Sequence, residues 1–465
     1  MEKSLVFLTV CILLSCQSRT DAPKPESAAS PAQEARHPNW VKNANIYEVN
    51  VRQYTPEGTF EAFSAHLPRL KELGVDILWF MPIQPIGLKN RKTDNEGDPG
   101  SYYSISDYTA VHPDLGTMDD FRQVVDKAHE MGMYVLLDWV GNHTAFDHYW
   151  VAEHPEFYSS KDGQSPVVAM DNEGGSTDWT DVADLNYDNE ELHEAMFQEM
   201  AWWVNECDID GFRCDVAGFV PFDFWNSTRP RLEEIKPLFM LAEWEDPRHM
   251  EAFNMNYGWE FHHIMNEVAN GRQGKEQIKA YLEKNDTLYA EDDIRMYFTT
   301  NHDENSWNGT VFERMGPQHL NMFVLGATLP GMPLIYSGQE AGLDRKLSFF
   351  GKDSIDWANE EYVSFYRQML GLKHDQKALW NGKWGGTLEW IETSDPDLLF
   401  YKRKREGSEV WVLLNLSNER SISIAEELSL FPEDGLELLE TSPENGVTSD
   451  EEALPASAHR IYVAK

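Results

Sequence analysis

The sequence predicts an α/β chain: a (β/α)8 TIM barrel, a small domain inserted after its third strand, and an antiparallel β domain at the C-terminal end. Three observations carry that expectation. Short apolar runs alternate with helical patterns eight times over residues 45–373, the mark of parallel strands joined by crossover helices and most economically closed as a barrel. About fifty residues, 142–189, follow the third run where a loop of a few is usual. Beyond residue 378 the helical period gives way to strands separated by turns. A doubly wound open sheet is the alternative, but no glycine-rich phosphate turn follows the first strand.

In order, residues 46–51 read as a strand, 60–73 as a helix closed by Gly74, and 75–83 as the second strand. A helix over 118–131, stopped by Gly132, leads into strand 134–140. After the insertion come helix 190–207, strand 209–215, a helix near 221–236 and strand 239–244. The sixth strand is expected within 255–264, then helix 275–289, strand 294–301, helix 318–329, strand 333–337 and a last helix over about 360–373. The C-terminal strands are expected at 388–392, 398–403, 409–416, 436–439 and 460–463. The catalytic barrel is thus bounded at 39–377 and the all-β domain at 378–465.

The N-terminus reads differently. The apolar run 5–14 behind Lys3 is too short for a membrane-spanning helix and suits the core of a signal peptide. It ends Leu13-Leu-Ser-Cys16, which resembles a bacterial lipobox, so residues 1–15 are expected to be removed and Cys16 to carry lipid. The Pro/Ala/Ser/Glu-rich residues up to 38 then serve as a flexible tether. This makes the protein an exported, membrane-anchored lipoprotein, periplasmic or on the cell surface and most economically on a Gram-negative outer membrane, with no membrane contact beyond that anchor. The formal net charge of −40 excludes nucleic acid as a partner, since a binder needs a basic footprint. Cys207 and Cys214 are too close along the chain to bridge without doubling back and are expected as buried thiols. No Cys/His spacing suggests zinc.

A buried parallel strand should be almost wholly apolar, yet the fourth ends Gly211-Phe-Arg-Cys-Asp215, with a cation and an anion two apart on one face. Such charges are costly unless paired and used. Other strand ends repeat the pattern: Asp138 with Asn142 and His143, Glu243, and Asn301-His302-Asp303. In a barrel these ends converge on one mouth. Clustered acids held in different protonation states are what acid/base or covalent glycoside chemistry requires.

These motifs resemble the α-amylase superfamily, glycoside hydrolase family 13. Residues 138–143 (DWVGNH) are similar to its first conserved region, 211–215 (GFRCD) to its second, Glu243 in Ala-Glu-Trp to its third, and 299–303 (TTNHD) to its fourth. Residues 182–186 (VADLN) resemble the short signature of its domain B, and 331–340 its eighth strand. The resemblance implies that Asp215 is the nucleophile, Glu243 the general acid/base, and Asp303 a sugar-binding stabiliser of the transition state. It further implies that Arg213 keeps Asp215 ionised, that His143 and His302 hold sugar hydroxyls, that Tyr103 stacks on the bound sugar, and that Asp138 supports them from beneath. The chemistry needs no cofactor. Asn142 and Asp184 match ligand positions of a structural calcium, and the acidic calcium loop of related oligoglucosidases is absent. Many amylases carry Lys-His three and four places after the nucleophile; here those places hold Gly218 and Phe219.

The implied function is a retaining hydrolase of α-1,4 links in starch, glycogen or maltooligosaccharides. A transglycosylase or an exo-acting α-glucosidase would use the same residues, and a non-catalytic glycan-binding lipoprotein is the reading from a different class. Both carboxylates needed for catalysis, Asp215 and Glu243, are present.

Overall fold

Eight parallel strands close on themselves in the order 1-8-7-6-5-4-3-2: Ile46–Val49, Ile77–Phe80, Tyr134–Val140, Gly211–Asp215, Phe239–Ala242, Met255–Tyr257, Ile294–Tyr297 and Met332–Tyr336. Closure is by the first strand, where Ile46 pairs with both Leu334 and Ile77. The computed structural model describes residues 36–163, 165–432, 436–441 and 452–464; the signal-like segment, Cys16 and the tether before residue 36 lie outside these. Almost every strand residue is buried, because helices cover the outside and side chains fill the inside. Ile46, Ile77, Trp79, Leu136, Phe239, Leu241 and Met255 belong to the inner cluster.

Local signals set the helices. Thr117 and Asp120 form a reciprocal cap at the start of Met118–Glu130. Asn189 caps Glu190–Cys207 by accepting from the Glu191 N–H. Gly74, at φ +99°, closes the helix Leu67–Leu73. At Gly211 a side chain would overlap the Phe239 carbonyl oxygen, so glycine alone lets the fourth strand lie against the fifth.

The expected architecture is present, with two corrections. The single helix expected over 60–73 is two, Phe60–Ser64 and Leu67–Leu73, because Pro68 cannot donate into a continuing helix and instead opens the second. The sixth strand, Met255–Tyr257, lies within the segment expected to hold it and gives way at once to helix Trp259–Ala269. His37, read as tether, is buried, with Nε2 2.8 Å from the Asp292 carbonyl oxygen.

The insertion is built on an antiparallel pair, His143–Ala145 with Val182–Asp184. After the barrel, five antiparallel strands form a sheet in the order Thr387–Trp390, Leu398–Arg405, Ser408–Asn415, His459–Ala464, Leu436–Thr441. A small pairing of Ile422–Ser423 with Ala453–Leu454 was not foreseen. Arg403 ties the sheet to the barrel by donating to the Thr328 carbonyl at 2.8 Å. Cys207 and Cys214 are buried free thiols, as expected. No helix among the described residues is long and apolar enough to cross a membrane.

Candidate active site

The strand ends meet around one guanidinium. Arg213 is fully buried in the fourth strand; its Nη1 donates to Asp138 at 2.9 Å and Asp215 at 3.0 Å, and its Nη2 lies 2.8 Å from Glu243. Its Nε donates to the Tyr257 hydroxyl at 3.2 Å, and the Trp79 ring centroid lies 4.9 Å from its charged carbon. Burial works against its charge, but Asp138 and Glu243 outweigh burial and hold its pKa well above the ordinary value.

Three acids share this one cation. Burial and then the Glu243 charge push the Asp215 carboxyl well above the ordinary carboxylate range, with Arg213 pulling the other way. Burial lifts Asp138 to about 6 against the same pull. Arg213 thus pulls Asp215 toward its charged form while being divided among three carboxylates.

Glu243 is aimed by the backbone. The Val216 N–H donates to its Oε2 at 2.8 Å. Val216 sits at φ +34°, ψ +50°, a left-handed conformation rare for a β-branched residue and costing on the order of 1–3 kcal/mol. The strain lies directly after Asp215.

A second chain of contacts runs across the floor. His302 Nδ1 is 2.5 Å from Glu48, Nε2 is 2.7 Å from the Tyr103 hydroxyl, and Nε2 is 3.4 Å from Asp303. Burial opposes a charge on His302, but Asp303 and Glu48 lift the imidazole to about 9. Doubly protonated, it donates to both Glu48 and Tyr103, and Tyr103 donates onward to Asp138 at 3.3 Å. His143 is the opposite case: burial lowers it to about 3, so it is a neutral imidazole.

These groups open into a cleft of about 390 Å³ whose lining includes Tyr103, His143, Asp215, Glu243, His302 and Asp303. Arg213 and Asp138 lie beneath it, as expected for Asp138. The insertion supplies Trp179 and Asp181 to the wall. The insertion rings Trp150, Tyr149 and Phe146 do not line the cleft: Trp150 packs against Phe157 and Tyr108, Tyr149 against His148, and Phe146 is buried in the core. Phe349 lies nearly parallel to Tyr103, 6.3 Å between centroids, and Trp307 packs against Phe349. Phe349 and Trp307 were missed because no motif marks them. Glu48 was also missed, although an acid in the run Ile46-Tyr-Glu-Val49 carries the same signal as the acids that were read.

Where the Lys-His pair of many amylases would stand, the chain builds an aromatic shelf. Phe219 lies nearly parallel to Trp179 with centroids 6.1 Å apart, and meets Trp244 edge-on at 5.3 Å. A side chain on Gly218 would fall inside the Trp244 indole.

Asn142 and Asp184 do come together, since Asp184 pairs with His143 across the two insertion strands. The Asp184 carboxylate already accepts the Met170 N–H at 2.8 Å. No group of three or more His, Cys, Asp or Glu among the described residues could hold a metal ion. Calcium takes roughly six to eight oxygens, of which Asn142 and Asp184 could supply side-chain donors, the rest falling to backbone carbonyls and water.

A family model for the alpha-amylase catalytic domain matches residues 34–392. The chain is 26% identical over 401 residues to alpha-amylase MalA of Haloarcula japonica, covering 82% of this chain and 56% of that protein. It is 27% identical over 417 residues to an alpha-1,4-glucan:maltose-1-phosphate maltosyltransferase of Rhodospirillum rubrum, covering 84% of this chain and 57% of the relative. The chain thus spans little more than half the length of these two relatives. Among solved structures it resembles the noncanonic maltogenic alpha-amylase AmyB of Thermotoga neapolitana, with TM-score 0.75, 29% identity, and coverage of 91% of this chain and 97% of that one. With that match over most of its length, laid on a barrel whose strand ends converge on Arg213, the chain belongs to the alpha-amylase family.

Proposed function

We propose that the protein is a retaining glycoside hydrolase that cleaves α-1,4-glucosidic bonds of starch- or glycogen-type glucans or maltooligosaccharides. One observation carries the reading: Asp215 and Glu243, at the ends of adjacent strands, are both held by the buried Arg213 and both face the cleft. In the first step an Asp215 oxygen bonds to the anomeric carbon while the glycosidic C–O bond breaks, and Glu243 gives its proton to the departing oxygen. In the second, Glu243 takes a proton from water, whose oxygen bonds to the same carbon as the Asp215 ester breaks. Asp303 and neutral His143 hold sugar hydroxyls, charged His302 fixes Tyr103 and Asp303 beside them, and Tyr103 offers its ring face to the pyranose. The family's chemistry needs no cofactor.

The test is the anomer formed first from a maltooligosaccharide series, resolved by NMR. The α anomer is expected; the β anomer would overturn the reading. The aromatic shelf of Trp179, Phe219 and Trp244 favours a second activity, transfer of the glycosyl group to a sugar acceptor, because sugars stack on rings better than water does. Products longer than the substrate at high maltotriose concentration, lost in Phe219→Ala, would establish it; their absence at all concentrations excludes it.

Export and anchoring through Cys16 is also proposed, supported by the apolar run that ends Leu13-Leu-Ser-Cys16. Radiolabelled palmitate should enter the wild type in a Gram-negative host and not Cys16→Ala. Equal labelling of the two sinks the idea.

A further inference from the structure

A second cavity, about 520 Å³ and larger than the catalytic cleft, opens among the loops that follow the first, second and eighth strands. Its lining carries three cations, Arg52, Arg91 and Lys352, against two exposed acids at its rim, Glu57 and Asp114. In a chain of net charge −40 that excess is unusual. The cations donate to backbone carbonyls: Arg52 to Gly100 and Phe349 at 2.9 and 2.5 Å, Arg91 to Gly87 and Ile86 at 2.8 and 3.0 Å, and Lys352 to Thr55 at 2.9 Å and to Arg52. None of them forms an ion pair with a carboxylate among the described residues. A carbonyl dipole satisfies a donor without neutralising the charge behind it.

Two donors in the lining have no hydrogen-bond partner among the described residues, although the Arg52 guanidinium lies 3.4 Å over the Tyr102 ring. Arg52 Nε and Gln84 Nε2 are both buried in side chains only 7% and 1% exposed. The Gln84 amide is fixed, because its Oε1 already accepts the Ile83 N–H at 3.0 Å. Buried donors left unpaired cost about 1–3 kcal/mol each, so the site is built for acceptors that a ligand brings. Gly58, at φ +67°, keeps the space open: a side chain there would overlap the Lys352 ammonium.

We propose that this cavity binds a small phosphate-type oxyanion, free or carried on a sugar. Excess positive charge and unfilled donors select an anionic acceptor over a neutral glucan. The volume lies within the range of about 300–1,000 Å³ typical of small-molecule sites and takes a hexose phosphate. Rim acids Glu57 and Asp114 repel a long polyanion. Burial lowers the pKa of Arg52 and of Lys352, and a bound anion would restore both.

The test is calorimetric titration of the purified protein with inorganic phosphate and, separately, with glucose 6-phosphate, using glucose as the neutral control. Saturable binding of at least one anion and none of glucose is expected. Phosphate alone binding as tightly as the ester identifies the free ion; binding of the ester alone identifies the sugar phosphate. Arg91→Gln and Gln84→Leu should each weaken binding about tenfold or more, whereas filling the catalytic cleft of Asp215→Asn with a saturating maltooligosaccharide should leave it intact. Arg91 is only half-buried, so its variant carries the test if Gln84→Leu fails to fold. Absence of saturable binding, equal binding in Arg91→Gln and wild type, or displacement of the anion by the maltooligosaccharide would overturn the proposal.

Discussion

Two arginines, each almost wholly buried, do opposite work. Arg213 at the barrel mouth is 0% exposed and touches three carboxylates; Arg403 in the C-terminal sheet is 1% exposed and donates to the carbonyls of Gly386 and Thr328. The acids hold Arg213 firmly charged, whereas burial draws Arg403 down to about 10. The same side chain at the same depth thus makes a reactive site where anions crowd it and a simple fastening where only dipoles do. What differs is the charge around it: three carboxylates crowd the one cation, and only carbonyl dipoles meet the other.

The largest effect should separate the two regions outright. Asp215→Asn is expected to lower kcat by on the order of 10⁴-fold or more, read by steady-state kinetics on a maltooligosaccharide, while substrate binding persists. Because it removes one acid from an over-acidic cluster, the variant should unfold at equal or higher urea than wild type. A large fall in stability would show that the cluster is structural and break the contrast. Arg213→Gln comes next: it strands Asp138, Asp215 and Glu243 without a cation and should cost about 3–5 kcal/mol in urea unfolding at neutral pH. That cost should shrink at pH 4, where the raised carboxyls Asp138 and Asp215 neutralise.

His302 sharpens the comparison through pH. Its folded pKa is raised from 6.5 to about 9, so its stabilisation is fully present below about 6.5 and is lost as pH rises through 9. The stability difference between wild type and His302→Gln should therefore fall by about 3 kcal/mol between pH 6 and pH 10. A difference independent of pH would mean that the imidazole is not charged in the fold. The smallest effect belongs to the fastening: Arg403→Met should cost about 1–2 kcal/mol, by leaving two carbonyls unpaired, with kcat unchanged. A loss as large as that of Arg213→Gln would erase the distinction.

Much of this was legible in the sequence, for a physical reason. A charge at the end of an otherwise apolar strand must be compensated, so Asp138, Arg213, Asp215 and Glu243 announced themselves without any knowledge of their neighbours. The barrel was legible because a strand buried on both faces and a helix buried on one leave different periods. Where the periods merge, the reading blurred: Met255-Asn-Tyr257 is too short to alternate visibly before helix Trp259–Ala269 begins. Phe349 and Trp307 escaped for another reason. They ride on loops after the eighth and seventh strands, and closure of the barrel, not spacing, brings them beside Tyr103. Glu48 sits inside its strand, not at its end, and gained meaning only once His302 was found against it.

The packing of Gly218 under Trp244 also constrains how this site could have changed over time. Any side chain at 218 collides with the indole, so a lysine cannot enter there while Trp244 remains. Losing Trp244 first would strip the shelf from Phe219 before any new contact replaced it. The two positions are therefore locked in order as well as in space. A lineage moving between this arrangement and the Lys-His one must cross an intermediate with neither, and an engineer attempting the exchange should substitute residues 218, 219 and 244 together.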